Sequence, residues 1–285
     1  MCKICCTFAA VMSKGISLHS VVPIRAEARE GAEQLTQMLF GETCEIEELS
    51  DRWVYVKLDS DGQEGWADKK MISPMKTEEF VTYRKQLETA ATVVMPMVYA
   101  VSENNGQTLP LTAGTRLTNY QNGHFELLSV GFRIDPSMVV AQPFELNQDN
   151  LLHAVRFFLN IPYLWGGKNA MGMDCSGFTQ TIMSLFGKKL LRNASEQVTQ
   201  GTEIAKLGES QPGDIVFFDH GLRVTGEGLR VTHVGILIDQ ERVIHCSGRV
   251  KVEKIDNTGI LSMEQADKEH PNGIYTHHLV AIRRF

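Results

Sequence analysis

The stretch Trp53-Val54-Tyr55-Val56-Lys57-Leu58, followed by Asp61-Gly62 and then Glu64-Gly65-Trp66-Ala67, leaves few options for the fold around it. An alternating run of β-branched and aromatic residues fits a half-buried strand, and Asp-Gly is a hairpin turn signal. The neighbours carry the same signature. Val21 to Arg25 reads as a short strand, Gln34 to Phe40 leads into Gly41-Glu42, Thr43 to Leu49 alternates, and Lys69 to Ile72 closes the unit. Several short strands at close spacing predict a small β-barrel over residues 12–75. Lys76 to Ala91 is charged and helix-favouring, so residues 76–92 read as a helical linker. Strand signals resume at Val93, with Gly106, Gly114, Gly123 and Gly131 marking turns. They predict a second, degenerate barrel over residues 93–145, with Pro136 to Pro143 as a linker.

From Asn147 the character changes to mixed α/β, and residues 146–285 form a third unit. Asp149 to Leu159 reads as a helix with Leu151, Leu152, Val155, Phe158 and Leu159 on one face. Phe178 to Phe186 reads as another, with Phe178, Ile182, Leu185 and Phe186 at helical spacing. That places Cys175, in Asp174-Cys175-Ser176-Gly177-Phe178, at or just before a helix N-terminus. Unpaired N–H groups and the helix dipole favour an anion there. A thiol in such a place can fall from about 8.5 to roughly 3.5–7.5. The plainer reading of Cys175 is a small buried hydrophobe. Ser195 to Gly201 reads as a short helix. Ile215 to Phe218, Thr232 to Ile238, Arg242 to Cys246 and His278 to Arg283 read as strands.

A thiolate nucleophile needs a base that later protonates the leaving amine, and histidine suits that near neutral pH. Of nine histidines, His233 and His245 lie in two strands that form a hairpin. With an odd connection between them they face each other on one side of the sheet. One then pairs with Cys175 while the other orients it. His19, His124, His153, His220, His270, His277 and His278 lack a partner at a meaningful spacing.

The net charge of -6 argues against nucleic acid or an anionic membrane surface as the main partner. No apolar run reaches the length of a membrane span. The six cysteines, Cys2, Cys5, Cys6, Cys44, Cys175 and Cys246, do not form a disulfide framework. No cluster near Cys2, Cys5 and Cys6 completes a four-ligand metal set, so no metal is expected. Cys246, on the opposite strand face from His245, reads as packing. Residues 1–11 make a poor secretory signal and read as a disordered extension or an over-long start. The cytoplasm is the expected compartment, or the periplasm or cell envelope if residues 1–11 belong to a signal.

Two resemblances bear on these motifs. The run from Leu39-Phe40-Gly41-Glu42 through Trp53-Val54-Tyr55-Val56 and Asp61-Gly62 to Gly65-Trp66 resembles bacterial SH3-like domains, common attachments to cell-wall enzymes. Its plainer reading is a spacer module with no ligand of its own. Asp174-Cys175-Ser176-Gly177-Phe178, Pro212-Gly213-Asp214-Ile215-Val216-Phe217-Phe218, Thr232-His233-Val234-Gly235-Ile236 and Val243-Ile244-His245 resemble the NlpC family of papain-like cell-wall cysteine peptidases. These motifs stand in the family's order over residues 147–285, about half the chain. With the SH3-like units ahead of them, the whole resembles the γ-D-glutamyl-L-diamino-acid endopeptidases (dipeptidyl-peptidase VI type).

The resemblance implies an α+β fold: a papain-like NlpC catalytic domain preceded by two small all-β SH3-like barrels. It implies that Cys175 attacks the amide between γ-D-Glu and a diamino acid, with His233 as base and His245 orienting its ring. Tyr163 matches a tyrosine that lines the site and helps stabilise the oxyanion, with the Cys175 N–H as a further donor. Asp174 and Ser176 match positions that hold the bound peptide, and Ser195 fits a serine that contacts it from across the groove. In this subgroup the first barrel closes one end of the groove and admits only peptides with a free N-terminal L-Ala. Glu33 is the candidate partner for that amine. The chain departs from the family in two places: Gln63-Glu64 precede Gly65-Trp66 where a tyrosine is usual, and Asn193 stands where an aspartate is common. The implied partner is a muropeptide, with no cofactor and a monomeric state. The alternatives are an amidase or acyltransferase of the same fold, or a wall-peptide binding module without activity.

Overall fold

The computed structural model describes residues 13–219 and 230–285. The N-terminal extension, Cys2, Cys5, Cys6 and His220 lie outside the described residues. The first unit holds β1 (Ser13–Ser17), β2 (Val21–Arg25), β3 (Gln34–Leu39), β4 (Thr43–Leu49), β5 (Trp53–Leu58), β6 (Glu64–Asp68) and β7 (Ile72–Met75) in a seven-stranded antiparallel sheet of order β3-β2-β6-β5-β4-β1-β7. The alternation that marks β5 in the sequence has a direct cause. Val54, Val56 and Leu58 join the core with Val22, Ile24 and Met38, while Tyr55 and Lys57 point outward. The hairpin pairs Val56 with Gly65 and Trp53 with Asp68.

Helix α1 (Thr77–Glu88) leads to β8 (Ala91–Val93), β9 (Val98–Ser102), β10 (Thr108–Leu111), β11 (Arg116–Leu117), β12 (His124–Leu127), β13 (Val130–Arg133) and β14 (Val139–Val140). These strands form two sheets, β10-β9-β13-β12 and β11-β8-β14. The two β-units are not independent beads. Ile16, Phe40 and Met75 of the first unit share one core with Phe125 and Phe132 of the second and Tyr83 of α1. Phe40 packs edge-on against both phenylalanines, and the buried Tyr83 hydroxyl donates to Gly41 O at 2.7 Å.

The remainder is mixed. It contains α2 (Gln148–Val155), the small β15–β16 pair (Lys168–Asn169 and Gly172–Met173), α3 (Cys175–Leu185) and α4 (Ala194–Gln197). Its main sheet holds β17 (Thr202–Glu203), β18 (Ile215–Asp219), β19 (His233–Leu237), β20 (Arg242–Ser247), β21 (Arg249–Ile255), β22 (Gly259–Ser262) and β23 (Ile274–Arg284), in the order β17-β23-β18-β19-β20-β21-β22. An extra β22–β23 pairing closes the sheet on itself. Helix α3 lies against β19 and β20, burying Phe178, Ile182 and Leu185 with Val234, Ile236 and Ile244. The predicted apolar face of α2 is narrower than expected. Leu151, Val155 and Phe158 are buried, but Leu152 and Leu159 are exposed. The α-helix gives way to a tighter 3₁₀ turn at Arg156–Phe158, which changes the rotation per residue and turns Leu159 outward. Among the described residues, no helix is long and apolar enough to cross a membrane.

Candidate active site

Cys175 is the first residue of α3, and Asp174 is its N-cap, accepting from Gly177 N at 2.6 Å. The Asp-Cys-Ser-Gly run thus forms a helix start with an acceptor in the preferred cap position. The sequence predicts a thiol of lowered pKa here, and the structure reverses that expectation. Burial, and then the Asp174 carboxylate, push the Cys175 thiol up to about 12, against the opposing pull of the Val234 and Ser176 N–H groups and Arg192. The helix start supplies donors, but removal from water outweighs them. A buried neutral thiol must hand its proton to a neighbouring base when it attacks.

The candidate base, His233, lies on β19, against which α3 packs. Cys175 touches the backbone of Val234, the residue after His233. His233 Nε2 is 2.8 Å from His245 Nδ1, and both rings are buried. The register pairs Gly235, not His233, with His245. The two histidines therefore share a face, as expected, but meet diagonally rather than directly opposite. Gly235 makes the diagonal contact possible. A Cβ there would lie 2.7 Å from Val243 Cγ2 and 3.0 Å from His245 Cβ. Burial lowers the pKa of His245, so it is held neutral. Nε2 of His233 faces His245, so a thiol proton passed to this ring would go to Nδ1.

Tyr163 is half-buried on the turn before β15 and donates its backbone N–H to Gly248 O at 2.8 Å. Burial, and then the negative forms of Cys175 and Asp174, push its phenol upward, so it stays a neutral O–H donor beside the nucleophile. A neutral donor of this kind suits a developing oxyanion.

Asp174 and Ser176, the positions that the resemblance assigns to holding the peptide, sit in a buried hydrogen-bond network. Asp174 Oδ1 accepts from Gly177 N, Ser176 Oγ and Arg192 Nη1, and its Oδ2 accepts from Gly166 N (2.8 Å) and Arg192 Nη2 (2.6 Å). Ser176 Oγ also accepts from Arg192 Nη1 at 2.9 Å. Five donors saturate a buried carboxylate, so Asp174 acts inside the protein, fixing the helix that carries Cys175. The sequence reading overlooked Arg192, although it lies in the quoted Arg192-Asn193-Ala194-Ser195 run; a buried arginine has no signature in the sequence. Ser195 is exposed on α4.

The first β-unit docks directly on this site. Arg192 Nε donates to Thr36 Oγ1 at 2.7 Å. Gln34 Nε2 donates to Trp165 O, and Gln37 Oε1 accepts from Lys168 N and Asn169 Nδ2, each at 2.8 Å. Strand β3 is thus clamped to the turn that precedes Cys175. Glu33 is exposed at the rim, its Oε1 accepting from Trp165 Nε1 at 2.8 Å. The two departures from the family pattern touch each other, with Asn193 Nδ2 donating to Gln63 Oε1 at 3.2 Å. His277, whose Nδ1 lies 2.8 Å from Thr276 Oγ1, sets its ring against that of His233 at a tilt of 32° with centroids 4.2 Å apart.

The bacterial dipeptidyl-peptidase SH3 domain profile matches residues 24–72, and the NlpC/P60 family profile matches residues 160–267. A probable endopeptidase of Haemophilus influenzae is 31% identical over 133 residues, covering 46% of this chain and 74% of the relative. The chain belongs to the NlpC/P60 family. A γ-D-glutamyl-L-lysine dipeptidyl-peptidase of Bacillus subtilis is 27% identical over 265 residues, spanning 87% of this chain and 80% of the relative. Among solved structures, an NlpC/P60 family protein from Bacillus cereus aligns with a TM-score of 0.74 at 20% identity over 96% of this chain and 99% of the other. That likeness shows the NlpC/P60 fold with the β-units ahead of it. The protein is a hydrolase acting on peptidoglycan peptides.

Proposed function

We propose that the protein is a cysteine peptidase that cleaves the bond between γ-D-Glu and a diamino acid, diaminopimelate or lysine, in wall peptides with a free N-terminal L-Ala. The convergence of Cys175, at the start of α3, with the His233–His245 pair carries this reading. Cys175 Sγ attacks the γ-carbonyl carbon of D-Glu while His233 takes the thiol proton. The tetrahedral oxyanion is stabilised by the Tyr163 hydroxyl and the N–H groups at the helix start. His233 then protonates the diamino-acid amine as the C–N bond breaks, leaving a thioester of L-Ala-γ-D-Glu on Cys175. Water, deprotonated by His233, hydrolyses the thioester and returns the thiol. His245 keeps the His233 ring in place through both proton transfers.

Glu33 is the reason to expect a free amine at the other end of the groove. It is an exposed carboxylate, contributed by the first β-unit and fixed by Trp165 on the turn that also holds Tyr163. A peptide of this size suits recycling of freed wall fragments, a cytoplasmic role, better than attack on intact wall. The test compares L-Ala-γ-D-Glu-meso-diaminopimelate with its N-acetyl form, using wild type and Glu33→Gln. Cleavage of the free peptide alone, weakened through KM in Glu33→Gln, supports the reading. Equal cleavage of both peptides removes the amine requirement, and cleavage of neither removes the peptidase assignment.

A further inference from the structure

The hydrogen-bonded line from the nucleophile does not end at His245. Its Nε2 lies 2.9 Å from Glu253 Oε2 on the next strand, and the Glu253 side chain is only 7% exposed. Strand register puts His245 opposite Lys251, and Val243 opposite Glu253, so His245, Lys251 and Glu253 share the face that carries His233. Lys251 Nζ lies 3.2 Å from Glu253 Oε2 and 3.1 Å from Glu264 Oε2, and Arg249 in turn pairs with Glu264.

We propose that Glu253 is a positioning residue: by accepting the Nε2–H of His245 it fixes the tautomers of both histidines, so that the basic nitrogen of His233 is Nδ1. The inference rests on the roles given above to Cys175, His233 and His245. A single proton lies between His233 Nε2 and His245 Nδ1, and either ring can supply it. An ionised carboxylate can only accept, so a neutral His245 donates through Nε2 and accepts at Nδ1. His233 must then carry its proton on Nε2, and its Nδ1 lone pair is available for the thiol. Without an acceptor beyond His245 the line can run backwards. His245 would donate through Nδ1 and His233 would carry its proton on Nδ1, where it cannot take another from Cys175. A conserved orientation of this kind is how a carboxylate serves the base in other triads.

The surroundings favour the ionised form of Glu253. Burial opposes it, but the hydrogen bond from His245, the neighbouring Ser262 hydroxyl and the charge of Lys251 carry the carboxyl down to about 2. The groups facing this pair are Lys251 on its own strand, Ser262 on β22, Glu264 beyond β22, and the His277 ring on β23, whose centroid is 5.9 Å from that of His245. A purely structural ion pair with Lys251, on the same strand, would leave the histidine tautomers alone.

The deciding measurement is long-range ¹⁵N–¹H correlation NMR of ¹⁵N-histidine-labelled full-length protein, which reads tautomers without any turnover. Wild type should show Nε2–H on both His233 and His245. Glu253→Ala should shift that pattern towards Nδ1–H and lower kcat by about 10- to 100-fold with KM unchanged, the scale known for carboxylates that orient metal-bound histidines. Glu253→Gln, whose amide oxygen still accepts, should keep the tautomers and most of the rate. Nδ1–H on His245 in wild type overturns the proposal, as does a Glu253→Ala protein with unaltered tautomers and kcat. If wild type cleaves no tripeptide the functional reading fails, yet the tautomers still decide this inference; if Glu253→Ala does not fold, the wild-type spectrum decides it.

Discussion

Arg192→Met tests the idea that Asp174 is an internal strut. Arg192 is 1% exposed, and its guanidinium donates to both Asp174 oxygens, to Ser176 Oγ and to Thr36 Oγ1. Methionine has comparable volume and no charge, so the main loss is the cation beside a carboxylate that is 6% exposed. Removing one partner of a buried pair leaves an uncompensated charge and costs about 3–5 kcal/mol. The N–H groups of Gly166 and Gly177 still reach Asp174 at 2.8 and 2.6 Å, which places the expected loss at the lower end of that range. Loss of about 3 kcal/mol lowers the folded-to-unfolded ratio roughly 150-fold. Urea unfolding followed by tryptophan fluorescence reads it as a lower midpoint at unchanged slope. The double variant Asp174→Asn, Arg192→Met removes the stranded charge while keeping an acceptor for Gly177 N. It should recover about 1–2 kcal/mol relative to Arg192→Met alone, a coupling typical of residues in one network. A single-variant loss under about 1 kcal/mol, or a double variant no better than the single one, would refute the strut.

Other expectations follow from particular contacts. Gly166 has φ +71, and a Cβ there would lie 2.4 Å from Gln34 O, so Gly166→Ala should loosen the β3 clamp and lose about 2–3 kcal/mol, whereas Gly208→Ala, with nothing within 4 Å, should change stability by under about 0.5 kcal/mol in the same urea assay. Glu253 is depressed from 4.5 to about 2 in the folded state, so its contribution is present above pH 4.5 and is lost as pH falls through about 2. After allowance for solvent screening that contribution is about 1–2 kcal/mol, and the stability difference between wild type and Glu253→Gln should narrow steadily from pH 5 to pH 3. His245, depressed by burial, adds in the same direction, since its contribution is present above its ordinary value of 6.5 and falls away in acid. Cys246 is fully buried with its thiol donating to Met173 O at 3.1 Å, so Cys246→Ala should lose about 1–2 kcal/mol while leaving kcat unchanged.

The parts of the fold that were legible in the sequence are those set by local periodicity. The alternation of β5, the helix after Asp174 and the strands holding His233 and His245 are all readable because burial on one face leaves a repeat of fixed period. The nucleophile and its histidines follow from motifs that carry their own chemistry. The features that were not legible depend on strand register and on how separate elements bury one another. Glu253 in Lys251-Val252-Glu253 looks like one more charge on an edge, and only the β20–β21 register brings it to His245. Arg192 and Asp174 lie far apart in sequence, and nothing local marks an arginine for burial against Thr36 of another unit. The reversal at Cys175 has the same origin: a helix start can be read from sequence, but the depth of burial that outweighs it cannot. His277 was passed over because its partner, the face of the His233 ring, belongs to a strand two places away in the sheet.

The most direct test of the central claim is product analysis by mass spectrometry with L-Ala-γ-D-Glu-meso-diaminopimelate, using wild type and Cys175→Ala side by side. Wild type should release L-Ala-D-Glu and diaminopimelate and the variant neither, with the variant still folded and still binding the peptide. Release of the same products by Cys175→Ala, or scission by wild type at the L-Ala–D-Glu bond instead, would contradict it.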